Sequence, residues 1–73
     1  MANNWVKYEA SGGSYELVNL DRATRFRHVS AGEESVIEIY IDGQAHTIMK
    51  SIDSAAYEAA LAVIQETTGY KLE

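Results

Sequence analysis

Residues 35–50 read SVIEIYIDGQAHTIMK, and this stretch decides the fold. Val36 to Ile41 is a run of β-branched and aromatic side chains, which favour strands. The run ends at Asp42-Gly43, a dipeptide that tolerates the two positive φ angles of a type I′ turn. The pattern therefore predicts a β-hairpin that turns at this dipeptide and places Ile41 opposite Gln44.

Successive side chains of a strand point to opposite faces, so one face of this hairpin is built from isoleucine. We expect it to lie against the core, because burial of each side chain contributes roughly 1.5–3 kcal/mol. The other face carries Tyr40 among partly polar neighbours and is expected to be half covered or to meet a partner. The isoleucines are Ile37, Ile39, Ile41 and Ile48.

Shorter segments complete an α+β pattern. Trp5 to Glu9, Tyr15 to Leu20 and Ala23 to Ser30 are predicted strands, and the short loops between them favour antiparallel neighbours. Asp53 has the properties of a helix N-cap and Gly69 those of a C′ glycine. Between these two residues, one apolar stripe follows the spacing of a buried helix face: Tyr57, Ala60, Leu61 and Ile64.

These elements predict a single small α+β domain over residues 1–73. Its expected architecture is one antiparallel β-meander of four to five strands, with one C-terminal helix packed on the isoleucine face in a second layer. A chain of this length buries only about 60% of the surface that its unfolded form exposes. We therefore expect modest stability.

Composition excludes several classes of function. The sequence has 73 residues, no cysteine and a formal net charge of −5, so disulfides, thiol nucleophiles and cysteine-ligated zinc are excluded. The longest apolar run, Ala59 to Ile64, is far too short to cross a bilayer. A cytoplasmic location is expected, because the absence of cysteine fits a reducing compartment.

No motif for catalysis, a metal or a cofactor is evident. His28 and His46 lack the close spacing that places two imidazoles on one metal ion. Gly12-Gly13 precedes a predicted strand instead of the helix that a phosphate-binding loop requires. The sequence therefore predicts a protein without enzymatic activity, cofactor or small-molecule substrate.

All three arginines, Arg22, Arg25 and Arg27, lie within six residues of the sequence. The period of a strand turns Phe26 away from Arg25 and Arg27, so these side chains form no common stacking platform for bases. One interpretation is cross-strand pairing of the arginines with glutamates such as Glu16 or Glu38. The other is an anionic partner, although the net charge of −5 opposes nucleic-acid binding.

Aromatic side chains provide the most suggestive functional signal, because seven large rings are many for so small a core. One interpretation places Trp5, Tyr8 and Tyr40 on the sheet face away from the helix, where they would form a partner or dimer surface. The other places the tyrosines at the rim of the core with their hydroxyls in water. We therefore expect a small interaction or regulatory module that binds a protein partner or a second copy of itself.

Two alternatives remain open. The first is nucleic-acid binding through Lys7 and the cluster Arg22 to Arg27. The second is inhibition of a nucleic-acid-binding protein by acidic mimicry, since residues 33–73 carry two Lys or Arg against eight Asp or Glu. The mimic requires its carboxylates to line one face.

Overall fold

The predicted central hairpin is present in the structure, a computed structural model that describes residues 4–73. It consists of β4 (Glu34–Ile41) and β5 (Gln44–Met49). The turn residues Asp42 and Gly43 have φ angles of 53° and 79°, as a type I′ turn requires. Ile41 lies opposite Gln44, so the predicted register is confirmed.

The remaining strands are β1 (Trp5–Glu9), β2 (Tyr15–Asn19) and β3 (Arg25–Ala31). All pairings are antiparallel, and a C-terminal helix packs on the strands, so the predicted α+β class is confirmed. The strands do not form one sheet, however. β1 and β2 pair with each other, while β3, β4 and β5 form a separate three-stranded sheet.

A short 3₁₀ turn, Leu20–Arg22, separates the two sheets. The Asn19 side chain accepts a hydrogen bond from the Asp21 backbone at 3.0 Å, and this local bond competes with continuation of the strand. Leu20, only 2% exposed, enters the core instead. These contacts end β2 at Asn19, and β3 begins at Arg25 instead of at Ala23.

Both sheets and the helix contribute to one hydrophobic cluster. Ile37, Ile39 and Ile48 are fully buried, as predicted, whereas Ile41 near the turn is only partly buried. Buried side chains from β1, β2 and the helix complete the cluster: Val6, Tyr8, Val18, Ala56, Tyr57, Ala60 and Ile64.

The helix α1 (Ser54–Thr68) has the predicted caps. One Asp53 carboxylate oxygen accepts from the Ala56 backbone N–H at 3.1 Å, and its other oxygen accepts from the Glu9 backbone N–H, also at 3.1 Å. Asp53 therefore ties the start of the helix to β1. At the other end, Gly69 has φ 84° and donates its N–H to the Gln65 carbonyl. Among residues 4–73, no helix is both long and apolar enough to span a membrane.

Candidate interaction surface

The β1–β2 hairpin has two faces of opposite character. Its register places Val6 opposite Val18 and Tyr8 opposite Glu16 on the side that meets the core. The opposite side, here called the outer hairpin face, consists of three cross-strand pairs: Trp5 with Asn19, Lys7 with Leu17, and Glu9 with Tyr15.

Large apolar side chains are exposed mainly on this outer hairpin face. Trp5 is 55% exposed, Tyr15 63% and Leu17 64%. Tyr70, beyond the helix, is the fourth exposed large apolar residue of the described chain. Lys7 extends its ammonium to 5.2 Å from the centre of the Tyr15 ring, a distance at which a cation is attracted to an aromatic face. The face therefore combines an apolar patch of Trp5, Leu17 and Tyr15 with the polar side chains of Lys7, Glu9 and Asn19.

Of the three aromatic residues predicted to form a partner surface, only Trp5 belongs to this face. The prediction that Tyr8 shares a face with Trp5 was wrong. Tyr8 lies three positions after Trp5 on β1, and side chains an odd number of positions apart point to opposite faces of a strand, so the Tyr8 ring points to the core. It is 1% exposed, and its hydroxyl donates to Glu16 Oε1 at 2.9 Å. Burial, together with this hydrogen bond to a carboxylate, raises the pKa of Tyr8.

Tyr40 lies on the other sheet, on the face away from the core. Its ring is 5.2 Å from the guanidinium carbon of Arg25, and its hydroxyl donates to Glu38 Oε1 at 3.0 Å. The same carboxylate oxygen lies 3.7 Å from Arg27 Nη1. Tyr40 is therefore half-buried within a network of neighbouring charged side chains instead of standing exposed as an anchor.

The arginine cluster is engaged within the chain. Arg27 pairs with Glu38, as the structural interpretation predicted, and Arg22 lies 4.0 Å from Asp42 in a pair that is open to solvent. Arg25 stacks on Tyr40. Lys7, the fourth residue of the nucleic-acid hypothesis, is on the other sheet. The cluster is thus divided among intramolecular contacts.

Each histidine lies beside a glutamate and a buried tyrosine. His46 Nδ1 is 3.8 Å from Glu16 Oε1, the oxygen that also accepts from Tyr8. In the second group, Tyr57 donates its only hydroxyl hydrogen to Glu73 at 2.9 Å, so the 2.9 Å contact to His28 requires a hydrogen on the imidazole Nε2.

These side chains tie elements together and assemble no metal centre. His28 lies on β3, Tyr57 on α1 and Glu73 beyond the helix, so their contacts join three parts of the fold. Over residues 4–73, no group of three or more metal-ligating side chains is found.

The acidic residues of the C-terminal half are distributed over β4, the loops and α1. Glu34 accepts hydrogen bonds from Ser51, which lower the pKa of its carboxyl, and Glu38 belongs to the outer side of the three-stranded sheet. Asp53 accepts a hydrogen bond as the N-cap of α1, and Glu58 and Glu66 are exposed on that helix. Several of these carboxylates therefore have hydrogen-bond or charge partners within the chain.

A groove of about 270 Å³ lies between α1 and residues 71–73. Leu61 and Leu72 contribute apolar surface, and Glu58 and Lys71 contribute opposite charges. Small-molecule sites are commonly enclosed clefts of about 300–1,000 Å³ with a mostly apolar lining. This groove is smaller and open to solvent, so the outer hairpin face is the stronger candidate site.

Tyr15 and Leu17 were missed as site residues, although the sequence contained a signal. Within Tyr15-Glu16-Leu17-Val18, alternation places Tyr15 and Leu17 on one face and Val18 on the other. Pairing with β1 then decides which face is buried, and that pairing is seen only in the structure.

No protein-family model, curated protein or solved structure significantly matches this chain, so function is argued from the surface itself.

Proposed function

We propose that this chain is a small non-enzymatic protein-interaction module and that the outer hairpin face binds its partner. One observation carries the proposal: three of the four exposed large apolar side chains of the described residues lie together on this face. Tryptophan and tyrosine are enriched among residues that anchor protein interfaces. A reducing compartment such as the cytoplasm suits a sequence without cysteine.

The size of the patch supports a binding role. At the stated exposures, Trp5, Tyr15 and Leu17 together present about 400 Å² to water, given that a large side chain covers on the order of 150–250 Å². The largest apolar patch on a monomer is about 300–600 Å² and is often functional. Keeping these side chains on the surface gives up the stabilisation that burial would provide.

The arginines that a nucleic-acid site would need already contact other side chains of this chain. Arg22 and Arg27 lie beside acidic side chains, and Arg25 rests on Tyr40. Nucleic-acid binding depends on basic groups that are available to neutralise phosphates. We therefore propose neither nucleic-acid binding nor acidic mimicry.

Selection of displayed peptides tests the proposal. A random peptide library is selected on the immobilised chain, and each recovered peptide is retested on a variant with Tyr15→Thr and Leu17→Thr. Threonine removes the apolar surface while keeping the β propensity of a strand. We expect peptides that bind the wild-type chain and lose about tenfold or more in affinity on the variant.

Tyr70→Thr provides the matched control, because Tyr70 is 76% exposed but lies outside the hairpin. This substitution should leave binding unchanged. Far-ultraviolet circular dichroism and urea unfolding establish that all variants remain folded. Peptides that bind the wild type and the double variant equally well would contradict the assignment of this face.

A further inference from the structure

The hydrogen bonds of the β1–β2 hairpin show which backbone groups point away from it. At one end, the Ala10 N–H donates to the Ser14 carbonyl at 2.7 Å. At the other end, the Leu20 N–H donates to the Asn4 carbonyl at 2.9 Å. Hydrogen-bonded and non-hydrogen-bonded pairs alternate along an antiparallel ladder. The even-numbered pairs therefore hold the hairpin together, and the odd-numbered residues of both strands direct their N–H and C=O groups outward.

The two edges of the hairpin differ in what meets these outward groups. On β1, the Glu9 N–H donates to the Asp53 carboxylate at 3.1 Å, so the start of the helix lies against this edge. On β2, the outward groups belong to Tyr15, Leu17 and Asn19, and among residues 4–73 no strand pairs with this edge. The Tyr15 and Leu17 side chains are largely exposed, so the β2 edge is open to solvent.

An extended backbone matches such an edge. Successive outward groups on β2 are two residues, or about 6.6 Å, apart, and a strand presents its own donors and acceptors at the same spacing. A helix uses these groups internally. The other sheet has its edges at β3 and β5, but β3 carries Arg25 and Arg27, and charged side chains on an edge strand oppose pairing with another chain. The exposed residues of β5 are small or polar.

The β2 edge also offers side chains for an added strand to pack against. Tyr15 and Leu17 lie beside the open backbone, and apolar cross-strand pairs stabilise a sheet. Lys7, whose ammonium is 5.2 Å from the centre of the Tyr15 ring, and Glu9 carry opposite charges, and both belong to β1. The outer side of an added strand therefore meets mainly apolar side chains. Affinity in strand addition comes largely from main-chain hydrogen bonds, so a large apolar area is not required.

Charge specifies the residue on the other side of the added strand. Glu16 points to that side of β2, and its side chain is 48% exposed. One of its oxygens accepts from the Tyr8 hydroxyl and lies 3.8 Å from His46 Nδ1. A basic residue suits the position opposite this carboxylate, and the net charge of −5 also favours a basic partner.

A second copy of the chain fits this edge less well than a basic strand. Full antiparallel overlap of two β2 strands centres a two-fold axis on Leu17. This register places each Glu16 carboxylate opposite an apolar Val18 and brings both carboxylates to one side of the junction. A second copy thus supplies another acidic group where a basic one is complementary.

We propose that the open edge of β2 binds an extended segment of a partner protein as an added antiparallel strand, with apolar side chains beside Leu17 and Tyr15 and a basic side chain opposite Glu16. This inference rests on the proposed function and specifies the conformation and the chemistry of the partner segment. The two-stranded hairpin becomes a three-stranded sheet when the segment binds.

N-methylated peptides test strand addition on the unchanged chain. The parent peptide is Ser-Thr-Ala-Val-Arg-Ile-Ser, which places its valine, arginine and isoleucine opposite Leu17, Glu16 and Tyr15. N-methylation of the valine and isoleucine removes amide hydrogens that face β2, whereas N-methylation of the alanine and arginine removes the same number from the other edge. By fluorescence anisotropy of labelled peptides, the first change should weaken binding about tenfold or more and the second less than about threefold.

Amide hydrogen exchange locates the added strand. The Tyr15 and Leu17 amides should exchange rapidly in the free chain and be protected about tenfold or more by the parent peptide. The Glu16 amide, which faces β1, is the internal control and should be protected with or without peptide.

A proline substitution tests the same edge from the side of the protein. Leu17→Pro removes one outward donor and no hydrogen bond of the hairpin, whereas Leu17→Thr removes the same side chain and keeps the donor. The proline variant should bind the parent peptide about fivefold more weakly than the threonine variant. Circular dichroism establishes that both are folded, and the methylated peptides decide the question if the proline variant is not.

Equal affinities for the two methylated peptides, or no saturable binding of the parent peptide, would overturn the inference. If all three peptides bind equally but require Tyr15 and Leu17, the proposed function stands and strand addition falls. If the selected library peptides also bind without these side chains, both fall. Protection of the Tyr15 and Leu17 amides that rises with chain concentration in the absence of peptide would assign the edge to a second copy and also overturn the inference.

Discussion

At the scale of single residues, two tyrosine hydroxyls are withdrawn from water and held by glutamates. Tyr8 donates to Glu16 and Tyr57 donates to Glu73, each at 2.9 Å. Burial is the largest cause that raises the pKa of both phenols, because it disfavours the charged phenolate, and the neighbouring carboxylates add to the effect. The fold therefore favours the neutral form of both side chains.

The raised pKa of Tyr8 predicts loss of stability in alkaline solution. A tyrosine in the unfolded chain ionises near pH 10, whereas folded Tyr8 still holds its proton there. The unfolded state then binds fewer protons, so the free energy of unfolding is fully present below about pH 10 and falls as pH rises further. Tyr8→Phe should flatten this decline, as measured by urea unfolding between pH 8 and 11.

Val6→Ala is the matched control for this experiment. It removes buried apolar surface from the same strand without removing a titratable group, so it should lower stability at every pH and keep the wild-type slope. A Tyr8→Phe variant with the same alkaline slope as the wild type would show that the phenol ionises alike in both states. The pH dependence would then have to come from other groups.

At the scale of elements, the sequence predicted the structure correctly where a short motif is compatible with only one local conformation. Asp42-Gly43 fixed a two-residue turn, and from that turn every pairing of β4 with β5 followed correctly. Asp53 and Gly69 likewise marked both ends of α1. Strand ends beside Leu20 were less predictable, because burial of that side chain in the core, a tertiary contact, ends β2 early.

Asp53 also has a role that no local pattern predicts, since it accepts from Glu9 on β1 as well as from Ala56. Asp53→Ala should lower the free energy of unfolding by about 1–3 kcal/mol, because the helix loses its cap and the Glu9 N–H loses its partner. Asp53→Ser retains one oxygen for the cap and should cost about half as much. Urea unfolding at pH 7 measures both.

The comparison of the two variants separates the two bonds. If the serine variant is as stable as the wild type, the bond to Glu9 contributes nothing to stability. If the alanine variant loses less than about 0.5 kcal/mol, the cap itself is unimportant. Amide hydrogen exchange in β1 gives a second test, because the Glu9 amide should lose protection in both variants.

At the scale of the whole molecule, the division into two sheets determines what is left exposed. A single sheet would have placed Trp5 and Tyr40 on one continuous face, as the sequence suggested. In the structure, β1–β2 is a separate hairpin, so Trp5 joins Tyr15 and Leu17, while Tyr40 joins Arg25 and Glu38 on the other sheet. Which strands become neighbours depends on long-range pairing, and local patterns do not contain that information.

The two surfaces together predict a monomer. The exposed apolar side chains of the outer hairpin face present about 400 Å², about half of the total polar and apolar area that a stable protein interface buries on each side. The outer side of the three-stranded sheet carries Arg25, Arg27 and Glu38, whose charges would have to be desolvated in a dry dimer interface. The net charge of −5 adds repulsion between two copies.

Light scattering after size exclusion, over about 10 μM to 1 mM chain at 150 mM salt, should therefore give the mass of one chain, 8.1 kDa, throughout. A mass that rises with concentration would contradict the prediction, and the variants would then locate the contact. Loss of association in Leu17→Thr would assign the dimer to the outer hairpin face. Loss in Arg27→Glu would assign it to the three-stranded sheet, whose charged network would then be an interface instead of a solvated surface.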